Sequence, residues 1–264
     1  MESEDTLSQT CRALPSSTAR LAELVTSAPD LSLAAHNSDW TLRHVTLHVA
    51  TTARYFAEMV DLGRPAKGGL AELHEDIERR VADITEGDPV KVGALLQDGV
   101  EEFVETCAER PATHPVDFAG CPIDLAALAG LMLSEVVLHG YDVAFALGQP
   151  WPIDPGDANL SLAGLAPVLS LIVDPDRTRG LSAGYGIELR NGPALTVRFT
   201  DGVYGLEAAG AAPVDVTISA DPVAFLMVGT GRLSRYEAVA LGLLSAGGSR
   251  PELALGFPDL FLKA

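Results

Sequence analysis

A glutamate and a histidine one helical turn apart are the residues whose types and spacing most suggest chemistry. Glu135 precedes His139 by four positions inside the apolar run 128–147. In a helix, this spacing puts the carboxylate and the imidazole on the same face. A carboxylate in such apolar surroundings needs a partner, and a metal ion would provide one. A buried ion pair between the two side chains is the alternative interpretation.

A second pair of histidines offers the further ligand that a metal site would need. His44 and His48 are also four positions apart, and valine and leucine flank them. Side chains from neighbouring helices of a bundle can meet at one depth of its core. Two histidines and one carboxylate leave coordination positions open, which is typical of catalytic zinc sites and also of non-haem iron oxygenases. Alternatively, His44 and His48 are partly exposed helix residues without a metal.

The first half of the chain supplies the helices that would position these residues. Pro15 is expected to start or kink the first helix, and Asn37, Ser38 and Asp39 are N-cap candidates for the second. Four long helices and one shorter helix indicate a four-helix bundle, with residues 1–150 as its domain. The apolar periodicity predicts helices at 7–28, 41–62, 70–84, 88–110 and 124–147.

The second half changes in pattern after the proline- and glycine-rich stretch 148–156, which we interpret as a linker. Asn191-Gly192 and Asp201-Gly202 are strong hairpin signals. Residues 156–264 are therefore predicted to form an α+β domain, in which helices cover an antiparallel sheet. Its predicted strands are 186–190, 194–200, 203–208 and 214–220.

Charge and composition exclude several classes of partner. The 264 residues carry a net charge of −18, whereas nucleic acids and anionic membranes bind basic surfaces. Cys11, Cys107 and Cys121 form no C-x-x-C pair and no disulfide framework, which is typical of a reducing cytoplasm. The N-terminus is acidic where a signal peptide is basic. The longest uncharged stretch, 158–173, is shorter than the ~18–20 residues of a membrane span. We therefore expect a cytoplasmic protein.

Motifs in both halves resemble a known family. WTLRHVTLH at 40–48 is similar to the signature of DinB-like four-helix bundles, a tryptophan followed by a histidine eight positions later. EVVLHGYD at 135–142 is similar to the second signature of the mycothiol-dependent maleylpyruvate isomerase family. DVTISADP at 215–222, GRLS at 231–234 and GSRPEL at 248–253 resemble the sterol-carrier-protein-2-like domain that follows the bundle in that family. The resemblance covers nearly the whole chain.

The resemblance implies a set of site residues. The family's metal ligands correspond to His48, Glu135 and His139. His44 is then a partner outside the coordination sphere, a fourth ligand, or a neutral surface substitution. Asp142 would orient an imidazole from outside the coordination sphere or pair with an arginine. Trp40 is expected to be a packing anchor at the start of its helix.

The resemblance also implies zinc and the small thiol mycothiol. A thiol has a pKa of about 8.5, and a divalent metal with an open position lowers it to give the nucleophilic thiolate. In the implied isomerase reaction, the thiolate adds to a cis double bond conjugated with a carbonyl, the new single bond rotates, and elimination returns the trans isomer. A thiol S-transferase is the related possibility. The partners would be a small electrophile and a small thiol, and the protein a monomer or homodimer.

A dicarboxylate substrate would require an arginine, whose planar guanidinium matches a carboxylate. Arg43, Arg232 and Arg250 are the candidates, and Arg232 is our choice as the substrate-binding residue; solvated surface arginine is the alternative for each. Beyond the iron oxygenase, the competing hypothesis is a non-enzymatic protein that binds a metal and a small apolar ligand.

Overall fold

The computed structural model describes residues 2–63 and 69–262, which divide into two compact units. The first unit extends to Ile153 and includes Ala163–Leu165. The second comprises Asp154–Leu162 and continues from Ala166. The sequence-based domains, 1–150 and 156–264, differ from these units at the linker and at 163–165.

Four long helices pack together in the first unit. Helices α1 and α2 each contact both α4 and α5, which makes a four-helix bundle, and the shorter α3 packs on α2. A hairpin of two short strands, β1 and β2, precedes α5 and was not predicted. The elements are α1 (Glu2–Ser27), α2 (Leu42–Leu62), α3 (Leu70–Asp83), α4 (Pro89–Ala108), β1 (Pro115–Phe118), β2 (Cys121–Asp124) and α5 (Leu125–Ala146).

The cap of α2 differs from the prediction. Thr41, rather than Asn37, Ser38 or Asp39, is the N-cap, and its side chain accepts a hydrogen bond from the backbone N–H of His44. The preceding segment is closed by backbone hydrogen bonds, among them one from the N–H of Ala35 to the carbonyl of Trp40. The three polar residues therefore lie in this loop, before the helix begins.

Helix α1 begins at Glu2, earlier than the predicted residue 7. Pro15 lies inside the helix and does not start it. Proline removes one hydrogen bond from a helix interior. Leu14, Leu21 and Val25 are fully buried in the unit, where α1 packs on α4 and α5. Tertiary packing of this apolar face therefore sustains the helix across the proline.

Helix α5 is the core helix of the first unit. Asp124 caps it by accepting a hydrogen bond from the N–H of Ala127, at the position where the sequence predicts this helix to begin. Among the described residues, α5 is the one helix long and apolar enough to cross a membrane, and 78% of its most apolar window is buried inside the structure. That burial is what a core helix of a folded unit requires.

The second unit contains a five-stranded sheet in the order β5-β4-β3-β6-β7. Three of its four strand pairs are antiparallel, but β3 and β6 are parallel, so the prediction of an antiparallel sheet is wrong for this pair. The reason is the connection after β5, which carries the chain past β4 to the far side of β3. Strand β7 was not predicted, because its small residues lack an alternating pattern. The strands are β3 (Ala183–Leu189), β4 (Ala194–Thr200), β5 (Val203–Ala208), β6 (Val216–Ala220) and β7 (Leu244–Gly248).

Both predicted hairpins are confirmed. Asp201 and Gly202 join β4 to β5 with φ values of +50° and +85°, the left-handed conformations that a tight two-residue turn requires. Asn191 is also left-handed, with φ of +54°, between β3 and β4. The helices of this half are α6 (Pro155–Val168), α7 (Pro175–Thr178), α8 (Pro222–Gly229), α9 (Arg235–Ala240) and α10 (Leu253–Gly256), with 3-10 turns at Leu169–Ile172 and Phe257–Leu260.

Candidate metal centre

Helices α2 and α5 bring His48, Glu135 and His139 together. Nε2 of His48 lies 3.5 Å from Oε2 of Glu135, and Nε2 of His139 lies 3.3 Å from the same oxygen. One nitrogen or oxygen atom from each residue lies within 4.8 Å of the other two. Two imidazoles and one carboxylate therefore converge on one point between two helices.

The local sequence explains this convergence. His48 is 7% exposed and lies among Val45, Leu47 and Val49, which are fully buried. It therefore belongs to the part of α2 that packs inside the bundle. Glu135 and His139 share a face of α5 because of their spacing, and α5 packs on α2.

In both His48 and His139, the ring nitrogen that points away from Glu135, Nδ1, lies beside a further carboxylate. Oδ2 of Asp142, a residue that is 1% exposed, lies 3.3 Å from Nδ1 of His139. Oε1 of Glu78 lies 2.8 Å from Nδ1 of His48. The second oxygen of Glu78 lies 2.7 Å from Nε2 of His44. His44 is therefore outside the three-residue group and is paired with a carboxylate.

We call the group formed by His44, His48, Glu78, Glu135, His139 and Asp142 the ionisable cluster. Its ion pairs shift the pKa values of several of its members. Burial by itself lowers the pKa of His48, but the hydrogen bonds and charges of Glu135 and Glu78 outweigh burial and raise this pKa from 6.5 to about 9. Burial likewise lowers the pKa of His139, and Asp142 and Glu135 reverse that effect and raise it.

The carboxylates of the cluster show the complementary shift. Burial raises the pKa of Glu135, but His139 and His48 outweigh burial and hold it well below its usual range. Burial also raises the pKa of Glu78, and His48 and His44 lower it on balance. Without a metal, protons on the imidazoles balance these anions, and a bound cation would replace such protons.

Trp40 packs against the histidines. Its ring centroid lies 4.6 Å from that of His44, 4.7 Å from that of His48 and 6.0 Å from that of His139. The ring of His74, on α3, lies 6.3 Å from the Trp40 ring. An aromatic residue at the start of α2 thus contributes an apolar wall to the cluster.

The candidates for binding a substrate carboxylate, Arg43, Arg232 and Arg250, contact backbone carbonyls or carboxylates of the protein. Arg43 donates from Nε to the carbonyl of Glu86 at 2.7 Å and from its guanidinium to the carbonyl of Ile84, so it fastens the connection after α3. In the second unit, Nη1 of Arg232 donates to the carbonyl of Thr230 at 3.2 Å. Arg250, in the same unit, lies 3.9 Å from Asp215 and 3.8 Å from Glu252.

Glu78 is the residue of the cluster that sequence reasoning missed. Helix α3 was predicted, but it carries five acidic residues and nothing in their types ranks one above another. The buried residues of α3, Leu73, Ile77 and Val81, mark the face that packs inward. Glu78 is adjacent to Ile77, but so is Asp76, and this pattern therefore does not single out Glu78.

The fold and the three-residue group define a class of protein. In this class, a helical bundle carries a potential metal centre and is followed in the chain by an α+β unit. Residues 11–144 identify the family, because they match the sequence profile of the mycothiol maleylpyruvate isomerase N-terminal domain. The chain belongs to this mycothiol-dependent maleylpyruvate isomerase family. A comparison with curated proteins gives no match.

Solved structures share the fold over both units. A crystal structure of the mycothiol-dependent maleylpyruvate isomerase is 14% identical, with a TM-score of 0.53 over 91% of this chain and 92% of that one. A mutant of the same enzyme, in which a histidine is replaced by alanine, is 13% identical with the same TM-score and the same coverage. At this identity, the likeness concerns the fold.

Proposed function

We propose that this protein is a metal-dependent enzyme that uses a small thiol, mycothiol, to isomerise a small electrophile of the maleylpyruvate type. His48, Glu135 and His139 are the proposed metal ligands, and zinc is the proposed metal. The observation that carries the proposal is the convergence of their three ligand atoms within 4.8 Å. Family membership supplies the thiol and the reaction class.

The donor set fits a catalytic divalent metal. Two imidazole nitrogens and one carboxylate oxygen are ligands that zinc binds, and three protein ligands leave a position open. Each imidazole also has a carboxylate beside its other nitrogen, Glu78 for His48 and Asp142 for His139. Carboxylates in this position orient metal-bound histidines in proteins.

A bound divalent cation with an open position lowers the pKa of a thiol and so favours the thiolate at neutral pH. The residues of the chain supply the surroundings for that chemistry. His48, Glu135 and His139 hold their ligand atoms toward one point, and the Trp40 ring packs against the histidines. Asp142 keeps Nδ1 of His139 beside a negative charge, which leaves Nε2 facing the site.

The proposed reaction needs no nucleophile from the protein. With mycothiol bound, addition of its thiolate at the cis double bond would form a carbon–sulfur bond and move the electron pair onto the conjugated carbonyl. After rotation about the resulting single bond, return of that electron pair would break the carbon–sulfur bond and release the trans isomer and the thiolate. A thiol S-transferase would stop after addition of the thiolate and a proton, or would expel a different leaving group.

The proposal also concerns the second unit, the cellular location and the oligomeric state of the protein. A sterol-carrier-protein-2-like domain is the proposed description of the second unit, on the motifs at 215–222, 231–234 and 248–253. Arg232 is the proposed contact for a substrate carboxylate, because its guanidinium matches that group. We propose that the protein is cytoplasmic and is a monomer or a homodimer. Its net charge of −18 favours a protein without nucleic acid or membrane partners.

Metal analysis of the purified protein and of His48→Ala tests the proposal. We expect about one zinc per wild-type chain, little zinc in the variant, and mycothiol-dependent isomerisation of maleylpyruvate only in the wild type. His114→Ala is the matched control, because His114 belongs to the same unit but not to the three-residue group. Unchanged zinc in His48→Ala would contradict the ligand assignment. Iron with oxygen consumption would favour an oxygenase, and a co-purifying apolar ligand without activity would favour a binding protein.

A further inference from the structure

The carboxylate of Glu78 connects helix α3 to two histidines of α2. Its Oε1 lies 2.8 Å from Nδ1 of His48, and its Oε2 lies 2.7 Å from Nε2 of His44. We infer that Glu78 is a positioning residue of the metal centre, which acts through His48 and is itself held by His44. This inference rests on the proposed function, in which His48 is a metal ligand.

The tautomer of His48 is the first reason. A neutral imidazole carries a proton on one nitrogen and a lone pair on the other. An ionised carboxylate only accepts hydrogen bonds, so Nδ1 of His48 must donate its proton to Glu78. When a metal replaces the proton on the opposite nitrogen, the lone pair is on Nε2, the nitrogen that lies 3.5 Å from Glu135. Glu78 therefore selects the tautomer that a metal at the cluster needs.

The orientation of the ring is the second reason. The side chain of His48 is 9% exposed, and the Trp40 ring lies 4.7 Å from its centroid. Glu78 approaches from a different helix, so rotation of the His48 ring would break a short hydrogen bond. Such a contact keeps Nε2 directed at Glu135 and His139 before any metal binds.

His44 has a role in this arrangement although it is not in the three-residue group. Its backbone N–H bonds to the N-cap side chain of Thr41, and its imidazole bonds to Glu78. The His44 side chain is 31% exposed, compared with 9% for His48. His44 therefore holds the outer oxygen of Glu78 and leaves the inner oxygen for His48.

Asp142 provides a contrast with Glu78. Asp142 stands beside the other imidazole at 3.3 Å and belongs to the same helix as that histidine, three residues away. Glu78 makes the shorter contact, and it is the carboxylate that connects a third helix, α3, to the site. The position of α3 on α2 is thus coupled to metal binding through Glu78.

Zinc affinity, measured by competition with a chromophoric chelator, tests this inference. Glu78→Ala removes both contacts, and we expect zinc affinity to fall about 10–100-fold, the usual loss for a carboxylate that orients a ligating histidine. Glu78→Gln keeps a carbonyl acceptor but loses the charge, so we expect a smaller loss. Glu75→Ala makes the same truncation at an exposed position of α3 and should leave zinc affinity unchanged.

The visible spectrum of the cobalt-substituted protein separates positioning from a merely structural role. We expect Glu78→Ala and Glu78→Gln to shift the cobalt bands, because the geometry of His48 changes, whereas Glu75→Ala leaves them in place. If Glu78→Ala does not fold, the glutamine variant carries the same comparison. Zinc affinity within twofold of wild type and an unchanged spectrum in the folded variants would overturn the inference. A wild type that binds no zinc would instead overturn the proposed function.

Discussion

The interiors of the two units contrast in their ionisable groups. In the first unit, His48 and Asp142 are buried, and every imidazole of the cluster is matched by a carboxylate. Among the described residues of the second unit, the buried side chains include no carboxylate, imidazole or cation, and the core is made of residues such as Tyr185, Ile187 and Phe199.

This contrast indicates that the interior of the first unit has a chemical role in addition to packing. Burying a charge is costly unless it is paired, so a stable core is normally apolar, as in the second unit. The cluster of the first unit keeps several such groups together, which is typical of functional sites.

Replacing a proposed ligand should have the largest effect. In Glu135→Gln, the oxygen that faces both imidazoles loses its charge, so we expect zinc binding to fall by more than the ~10–100-fold typical of an outer carboxylate. Isomerase activity should fall with it. Elemental analysis after gel filtration measures the metal. A variant that retains one zinc per chain would remove Glu135 from the ligand set.

Truncating the apolar core of the second unit should affect stability and not metal binding. Phe199 is 1% exposed and contacts the rings of Tyr185 and Tyr204, so Phe199→Ala should cost about 3–5 kcal/mol of the free energy of unfolding. Urea denaturation measures this loss. Zinc affinity of the folded variant should equal that of wild type, and a parallel loss of zinc would contradict the contrast between the units.

Asp142→Asn tests the outer carboxylate of His139. The substitution keeps the side-chain size but removes the negative charge beside Nδ1, so zinc affinity should fall about tenfold, the low end for such partners. Chelator competition at neutral pH measures the change. Affinity equal to wild type would mean that Asp142 only fills space next to His139.

The metal-free protein should lose stability as pH rises. The pKa of His48 is raised to about 9 in the folded chain and is about 6.5 when unfolded, so its stabilising contribution is complete below pH 6.5 and disappears through pH 9. The loss should be at most about 3 kcal/mol, since one pKa unit corresponds to about 1.4 kcal/mol. Urea denaturation with a chelator present measures it. His48→Ala should have a flatter profile, and an equal slope in both proteins would contradict the pairing.

A surface ion pair of the second unit should matter least. Arg198 and Glu207 are 2.9 Å apart with side chains 24% and 32% exposed, and pairs of this kind contribute about 0–1 kcal/mol. Glu207→Ala should therefore change the melting temperature little and leave zinc affinity as in wild type. A loss comparable to that of Phe199→Ala would show that this pair belongs to a larger network.

The sequence was most informative where a local rule applies. Asp124 caps the helix that the sequence predicts to begin at 124, and Asp201-Gly202 forms the predicted hairpin turn. The helix predicted to end at 62 is closed by Gly63, whose φ of +55° is typical of glycine at a helix end. The spacing of Glu135 and His139 predicted their common face on α5 in the same way.

The features that escaped prediction depend on contacts distant in sequence. The parallel pairing of β3 and β6 follows from where the chain crosses the sheet, and Pro15 is tolerated because α1 packs on two other helices. Glu78 meets His48 across 30 positions, and no spacing rule connects two such residues. The choice of Thr41 as N-cap depends on a closed loop before α2.

The apolar character of α5 has a consequence for the biogenesis of the chain. This helix of 22 residues is long enough to enter a lipid bilayer. The polar side chains of Glu135, His139 and Asp142 oppose that transfer, since an ionised side chain at the centre of a bilayer-spanning helix costs on the order of 2.5–3.5 kcal/mol. Replacing all three by leucine would therefore lower the free-energy cost of transferring this helix into a bilayer.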